Sequence, residues 1–245
     1  MQNSVLSLIF PIQSLEKLTD QNNDVSRLIS KESNFRKNLL FFGDNSLFKT
    51  SLIFQSCLSS ANAYPTKEVI YIRKEDFKSI PLFVHNMPKP SNENLLKQIK
   101  FKYFQTTDQL IEYLADVHLN QKTPSHIVVE DLVDFLDIHK HEQVDIELDC
   151  IRQNLLIGSH IKSVLDYLNT VSNCTGIVGT RQKCEEANRL KYLFDSYCSI
   201  NTIDKDILYE IVYKNCLDEN LEYTLKFENR DSDLCLYNIR EDKLK

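Results

Sequence analysis

A continuous apolar run, Asn38-Leu39-Leu40-Phe41-Phe42, ends abruptly in Gly43, and Lys49-Thr50-Ser51 follow shortly before a helical pattern begins. A run without polar alternation reads as a strand buried on both faces, which requires a sheet covered by helices on each side. Gly43 to Ser51 has the spacing of the phosphate loop G-x-x-x-x-G-K-[ST], with Phe48 where the second glycine usually stands. The chain holds only four glycines, Gly43, Gly158, Gly176 and Gly179, which leaves this one candidate for a loop that cradles phosphate.

The flanking pattern fits that junction. From Thr50, the residues Leu52, Ile53, Phe54, Cys57 and Leu58 keep helical spacing as far as Tyr64-Pro65. Val69-Ile70-Tyr71-Ile72 and Ile127-Val128-Val129 are two further buried strands, the second running into Glu130-Asp131. Thr106 and Gln109 have capping-box spacing ahead of a helix over 107–119, and Ile151, Leu155, Gly158, Ile161, Leu165, Leu168 and Val171 mark another before Gly176-Ile177-Val178-Gly179. Lys97 to Phe104 alternates like a strand with one solvated face. Alternating strands and helices predict an α/β domain with right-handed crossovers and a mostly parallel sheet. Leu208 to Tyr213, Leu221 to Phe227 and Leu234 to Ile239, joined by polar turns, predict an antiparallel C-terminal edge. Residues 1–37 read as an N-terminal arm with short helices outside the core, and 38–245 as the core domain.

At 245 residues and 42% hydrophobic content the chain can bury one large core. A net charge of −6 without a block of like charges excludes a generally basic, groove-filling nucleic-acid binder, so any contact with a polyanion is local. The seven cysteines are scattered, odd in number and without a C-x-x-C pair, which fits a reducing compartment, the cytosol or the nucleus. Val5 to Pro11 is short and has no basic residue before it, so it does not read as a signal peptide, and no membrane is expected as a partner.

Within the phosphate-loop reading, Gly43, Asp44, Asn45, Ser46, Leu47, Phe48, Lys49, Thr50 and Ser51 are the cofactor-binding candidates. Lys49 is expected to meet the β and γ phosphates of ATP, and the Thr50 hydroxyl to ligate magnesium. Glu130 stands where an acid would hold the metal or its waters, and Glu75, just after the second strand, could orient an attacking water. Simpler readings stay open: an ordinary strand-to-helix turn with Lys49 in solvent, a solvated strand end at Glu130, and a surface carboxylate at Glu75. Phe48 removes the close backbone approach that a glycine allows and so weakens the case for retained ATP binding. His139-Lys140-His141 lies beside several carboxylates but lacks structural-zinc spacing and reads as a polar loop.

These residues resemble the RecA/RadA recombinase superfamily, and within it the recombinase paralogue that pairs with a SWIM-domain protein in animal Shu-type complexes. The likeness rests on Leu39 to Phe54, on Leu96-Lys97-Gln98-Ile99-Lys100-Phe101-Lys102-Tyr103 with the helix after it, and on Pro124 to Leu136. The resemblance implies a RecA-like P-loop NTPase fold and DNA-stimulated ATP hydrolysis. It also implies single-stranded DNA binding and a nuclear role in DNA repair by homologous recombination, regulating the filament of a RecA-type recombinase. Gly43, Lys49 and Thr50 match the family's Walker A motif, and Glu130 falls where its Walker B motif usually has aspartate. A DNA-contacting loop would follow Gly176 to Gly179, where Arg181, Lys183, Arg189 and Lys191 supply cations and Tyr192 and Phe194 aromatics. A solvated helix face, with Glu185 and Glu186 offsetting the cations, is the plain alternative there. Two rival functions remain: a nucleotide-independent protein-interaction platform, which Phe48 favours, and a small-molecule P-loop kinase, for which no arginine-rich lid is seen.

Overall fold

The computed structural model describes residues 5–11, 38–44, 46–90, 93–119, 122–136, 146–181, 189–204, 207–216 and 221–243. Asn45, Lys183, Glu185, Glu186 and the His139–His141 loop lie outside them.

The strands are β1 (Asn38–Phe42), β2 (Val69–Arg73), β3 (Phe83–Val84), β4 (Ile99–Tyr103), β5 (His126–Val129), β6 (Thr175–Thr180), β7 (Ser196–Asp204), β8 (Leu208–Asn215), β9 (Leu221–Arg230) and β10 (Asp233–Lys243). They form one ten-stranded sheet in the order β3-β10-β9-β8-β7-β1-β6-β5-β2-β4. From β4 through β2, β5, β6 and β1 to β7 every pairing is parallel. From β7 to β10 the chain folds back and forth antiparallel, and the two-residue β3 closes that edge parallel to β10. Asp231 and Ser232, with φ of 51° and 69°, make the tight turn between β9 and β10 without a glycine, the left-handed backbone that hairpin turns matching strand twist require.

The helices are α1 (Val5–Ile9), α2 (Ser46–Ala63), α3 (Glu93–Gln98), α4 (Thr107–Asp116) and α5 (Ile146–Ser172). Alternate residues of the central strands feed two cores, because successive side chains point to opposite faces. Leu39, Phe41, Tyr71, Val128 and Ile177 join a core with α1 and α2, whereas Leu40, Phe42, Ile72, Val129 and Val178 join one with α4 and α5. On the second face α5 lies so close to the sheet that a Cβ at Gly176 would stand 2.3 Å from Leu165 Cδ1. At the start of α4 the Thr106 hydroxyl accepts from the Gln109 amide at 3.3 Å, as its capping spacing predicts. The return bond is donated by the amide of Gln105 to Gln109 Oε1 at 2.9 Å.

Three expectations need correction. The first helix of the arm is not outside the core: Leu6, Ile9 and Phe10 are buried in it, and Phe10 meets Phe227 with ring centroids 5.7 Å apart. The helix after the phosphate-loop motif begins at Ser46 rather than Thr50, so Phe48 and Lys49 sit in its first turns. β7 was not foreseen, because its sequence Ser-Tyr-Cys-Ser-Ile-Asn-Thr-Ile-Asp scatters polar residues without regular alternation and carries no continuous apolar run.

Candidate functional site

β1, β2, β5 and β6 present their carboxyl ends along one rim of the sheet, the place where open α/β sheets take ligands. Gly43 leaves β1 there, with its amide donating to the Thr180 carbonyl of β6 at 3.3 Å. Gly43 is needed for space: an added Cβ would stand 2.7 Å from Ile200 Cβ.

Lys49 lies beneath this rim and is 1% exposed, so it is neither a solvated lysine nor open to the solvent. Its ammonium donates to Asp131 Oδ1 at 2.5 Å and to the carbonyls of Gly43 and Thr180 at 3.2 Å each. A lysine ammonium has three donors, and this set uses all of them. Asp131 reaches it from a left-handed backbone with φ of 50°, at the head of a short 3-10 turn over Leu132–Phe135. The carbonyl of Asp131 accepts from the Asp134 amide at 2.8 Å, which closes that turn.

Beside this pair, Thr50 donates its hydroxyl to Glu130 Oε1. Tyr71 donates to Glu130 Oε2 at 2.7 Å, and the Arg73 guanidinium stands 3.5 Å from the same oxygen. Glu130 is therefore a buried carboxylate with both oxygens engaged, not a solvated strand end. Burial pushes its pKa up, and the Arg73 charge and the Thr50 and Tyr71 hydrogen bonds pull against that rise. Burial and the neighbouring Glu130 charge hold the Tyr71 phenol well above its ordinary pKa, so it remains a donor. Tyr71 and Arg73 were not singled out in the sequence. The available signal was a tyrosine inside an otherwise apolar strand, since a buried phenol needs a partner.

A cavity of about 600 Å³ opens over the rim, bordered by Asp44, Thr50, Arg73, Glu130, Asp131 and Arg181 among others. Glu75 is also on its border, but its carboxylate is exposed and pairs with Lys78 at 3.1 Å. The candidates thus divide. Thr50 meets Glu130, Lys49 is engaged by the neighbouring Asp131, and Asp44, Leu47 and Glu75 line the opening. Ser51 faces another way: its hydroxyl donates to Leu47 O at 2.6 Å and accepts from the Leu82 amide at 2.8 Å.

Phe48 points away from the cavity altogether. It is fully buried, stacks on Tyr209 with centroids 4.0 Å apart and planes 9° apart, and meets Phe227 edge-on at 5.6 Å. Thr50 and Glu130 offer oxygen donors of the kind magnesium takes. In this conformation the residues nevertheless do not fit a bound triphosphate. The helix occupies part of the loop that would wrap the phosphates, and the lysine meant for them is fully engaged by Asp131 and two carbonyls.

The candidate DNA-contacting residues are less uniform than their sequence suggests. Arg181 is half-exposed and pairs with Asp134 at 2.8 Å, on the cavity border. Arg189 is exposed. Lys191 packs its ammonium 4.9 Å from the Phe42 ring centroid and 4.8 Å from that of Tyr197, and burial lowers its pKa. Tyr192 is 89% exposed, whereas Phe194 is buried and is not available to stack on a base.

No protein-family model matches the chain, and no curated protein matches its sequence. Solved structures do match its fold. The crystal structure of the RadB recombinase superposes with a TM-score of 0.54 at 14% identity, over 82% of this chain and 90% of that one. A KaiC-like protein from the hyperthermophilic archaeon Pyrococcus horikoshii OT3 superposes with a TM-score of 0.50 at 11% identity, over 82% of this chain and 89% of that one. The strand order and these likenesses agree: the chain has a RecA-like α/β fold, mostly parallel, flanked by helices and finished by antiparallel edge strands.

Proposed function

We propose that the protein is a recombinase paralogue that serves as a DNA-repair accessory factor in homologous recombination, with its nucleotide site closed in the resting state. It works in the nucleus beside a SWIM-domain partner, contacts single-stranded DNA and regulates the filament of a RecA-type recombinase. The observation that carries the closed-site reading is Lys49, buried and fully hydrogen-bonded within the protein on a RecA-like frame. Likeness to the RadB recombinase supports the recombination role, and the exposed Arg189 and Tyr192 support local DNA contact, a cation for phosphate and a ring for a base.

A second reading, weak DNA-stimulated ATPase activity, is favoured by the contact between Thr50 and Glu130 under an open cavity. ATP binding and turnover, measured with and without single-stranded DNA for the wild type and Lys49→Ala, separate the two. The closed-site reading expects no saturable ATP binding, with co-purification of the SWIM-domain partner unaffected by nucleotide. DNA-stimulated turnover abolished by Lys49→Ala would establish the ATPase, and phosphorylation of a metabolite would point to a kinase instead.

A further inference from the structure

Asp131 has two properties that are unusual together. Its backbone is in the left-handed region at φ 50°, which disfavours a non-glycine residue, and its carboxylate contacts a lysine that is 1% exposed. Without a carboxylate at this place the only remaining hydrogen-bond partners of the Lys49 ammonium are two carbonyls, and no acceptor of opposite charge touches it. A buried cation without a counter-ion is costly, so the site always demands an anion. Asp131 is 14% exposed and borders the cavity, so an anion entering from solvent would meet Lys49 where this carboxylate now sits.

We propose that Asp131 is an internal stand-in for phosphate: its carboxylate occupies the anion position at Lys49 and shuts the rim to a nucleotide's phosphate chain until the Asp131 side chain swings away. The proposal deepens the closed-site reading and rests on it. It names what closes the site and the ligand class that competes, a linear polyphosphate with or without a nucleoside. The turn itself is anchored: Leu132 and Phe135 are buried in the core with α4 and α5, and Thr107 donates its hydroxyl to the Phe135 carbonyl. Lys74 donates to the Asp134 carbonyl at 2.7 Å, and Arg181 pairs with the Asp134 carboxylate on a half-exposed surface. With Leu132 and Phe135 held in the core, the turn stays in place, and it is the Asp131 side chain that an entering anion displaces.

The test measures binding of inorganic tripolyphosphate and of ATP by calorimetry to the full chain, in the wild type, Asp131→Asn and Asp131→Gly. The glycine variant suits the left-handed backbone and removes the side chain outright. Both variants are expected to bind at least tenfold more tightly than the wild type, and adding Lys49→Gln to either should remove the gain. Tripolyphosphate should also raise the melting temperature of the variants more than that of the wild type, because it replaces the lost counter-ion. If both variants fail to fold alone, tripolyphosphate present during refolding must rescue them, and failure to do so overturns the proposal. Folded variants that bind no better than a non-binding wild type overturn it while leaving the closed-site reading intact. A wild type that binds ATP as tightly as the variants sinks both.

Discussion

Phe48 and Lys49 are neighbours in sequence with opposite tasks. Phe48 is a core residue stacked on Tyr209, and Lys49 is an ion-paired group at the rim. Replacing Phe48 by the glycine of the usual motif should therefore not repair a nucleotide site. It should remove a large buried ring, a loss of about 3–5 kcal/mol for truncation, and add about 1 kcal/mol for glycine inside a helix. Urea denaturation of Phe48→Gly is expected to show that loss with no gain in tripolyphosphate binding. A near-neutral midpoint would mean the ring contributes little where it sits. For Lys49, a double-mutant cycle with Lys49→Ala and Asp131→Ala should give each single variant a loss of about 3 kcal/mol or more, because each strands a charge. The double variant should lose less than the sum, and strictly additive losses would deny the pair its coupling.

At the level of elements, α1 shows how a short segment can matter. Leu6, Ile9 and Phe10 come from only a turn or so of helix, yet they close the core over α2 and the antiparallel strands. Phe10→Ala is expected to cost about 3–5 kcal/mol and to make α2 more sensitive to limited proteolysis. An unchanged denaturation midpoint would return α1 to the status of a loose arm. Five residues of weak amphipathicity do not announce such a role in sequence, since periodicity needs more turns to register. By contrast β1, β2, β5 and β6 were legible, because strands covered by helices on both faces must be apolar throughout. β7 was hidden for the converse reason: it borders the antiparallel array and carries Ser199 and Asn201 at less buried places. Lys49 and Thr50 could be located after β1 from spacing, because the geometry of a strand-turn-helix junction is local. The Phe48–Tyr209 stack and the return of Asp131 onto Lys49 depend on contacts between distant parts of the chain, which no local pattern encodes.

For the whole molecule, the parallel centre of the sheet is tied across its amino end by a buried polar chain that should give the fold a pH limit. His126 at the start of β5 is fully buried, with Nε2 2.9 Å from the Ser56 hydroxyl of α2 and Nδ1 2.7 Å from the Thr175 hydroxyl of β6. Burial pushes its pKa down from 6.5 to about 4, so the native protein keeps the ring neutral while the unfolded chain takes up a proton below the ordinary value. Between the two values the unfolded state binds more protons, so stability rises with pH across that window and falls as acid is added. The histidine's contribution is fully present above about pH 6.5 and is lost progressively down to about pH 4, a total of about 3 kcal/mol at 1.36 kcal/mol for each pKa unit. Urea midpoints at pH 7, 6 and 5 should fall accordingly in the wild type, and His126→Asn should flatten that part of the decline while lowering stability at pH 7. A wild-type profile as flat as the variant's would show that His126 takes up its proton without unfolding the sheet.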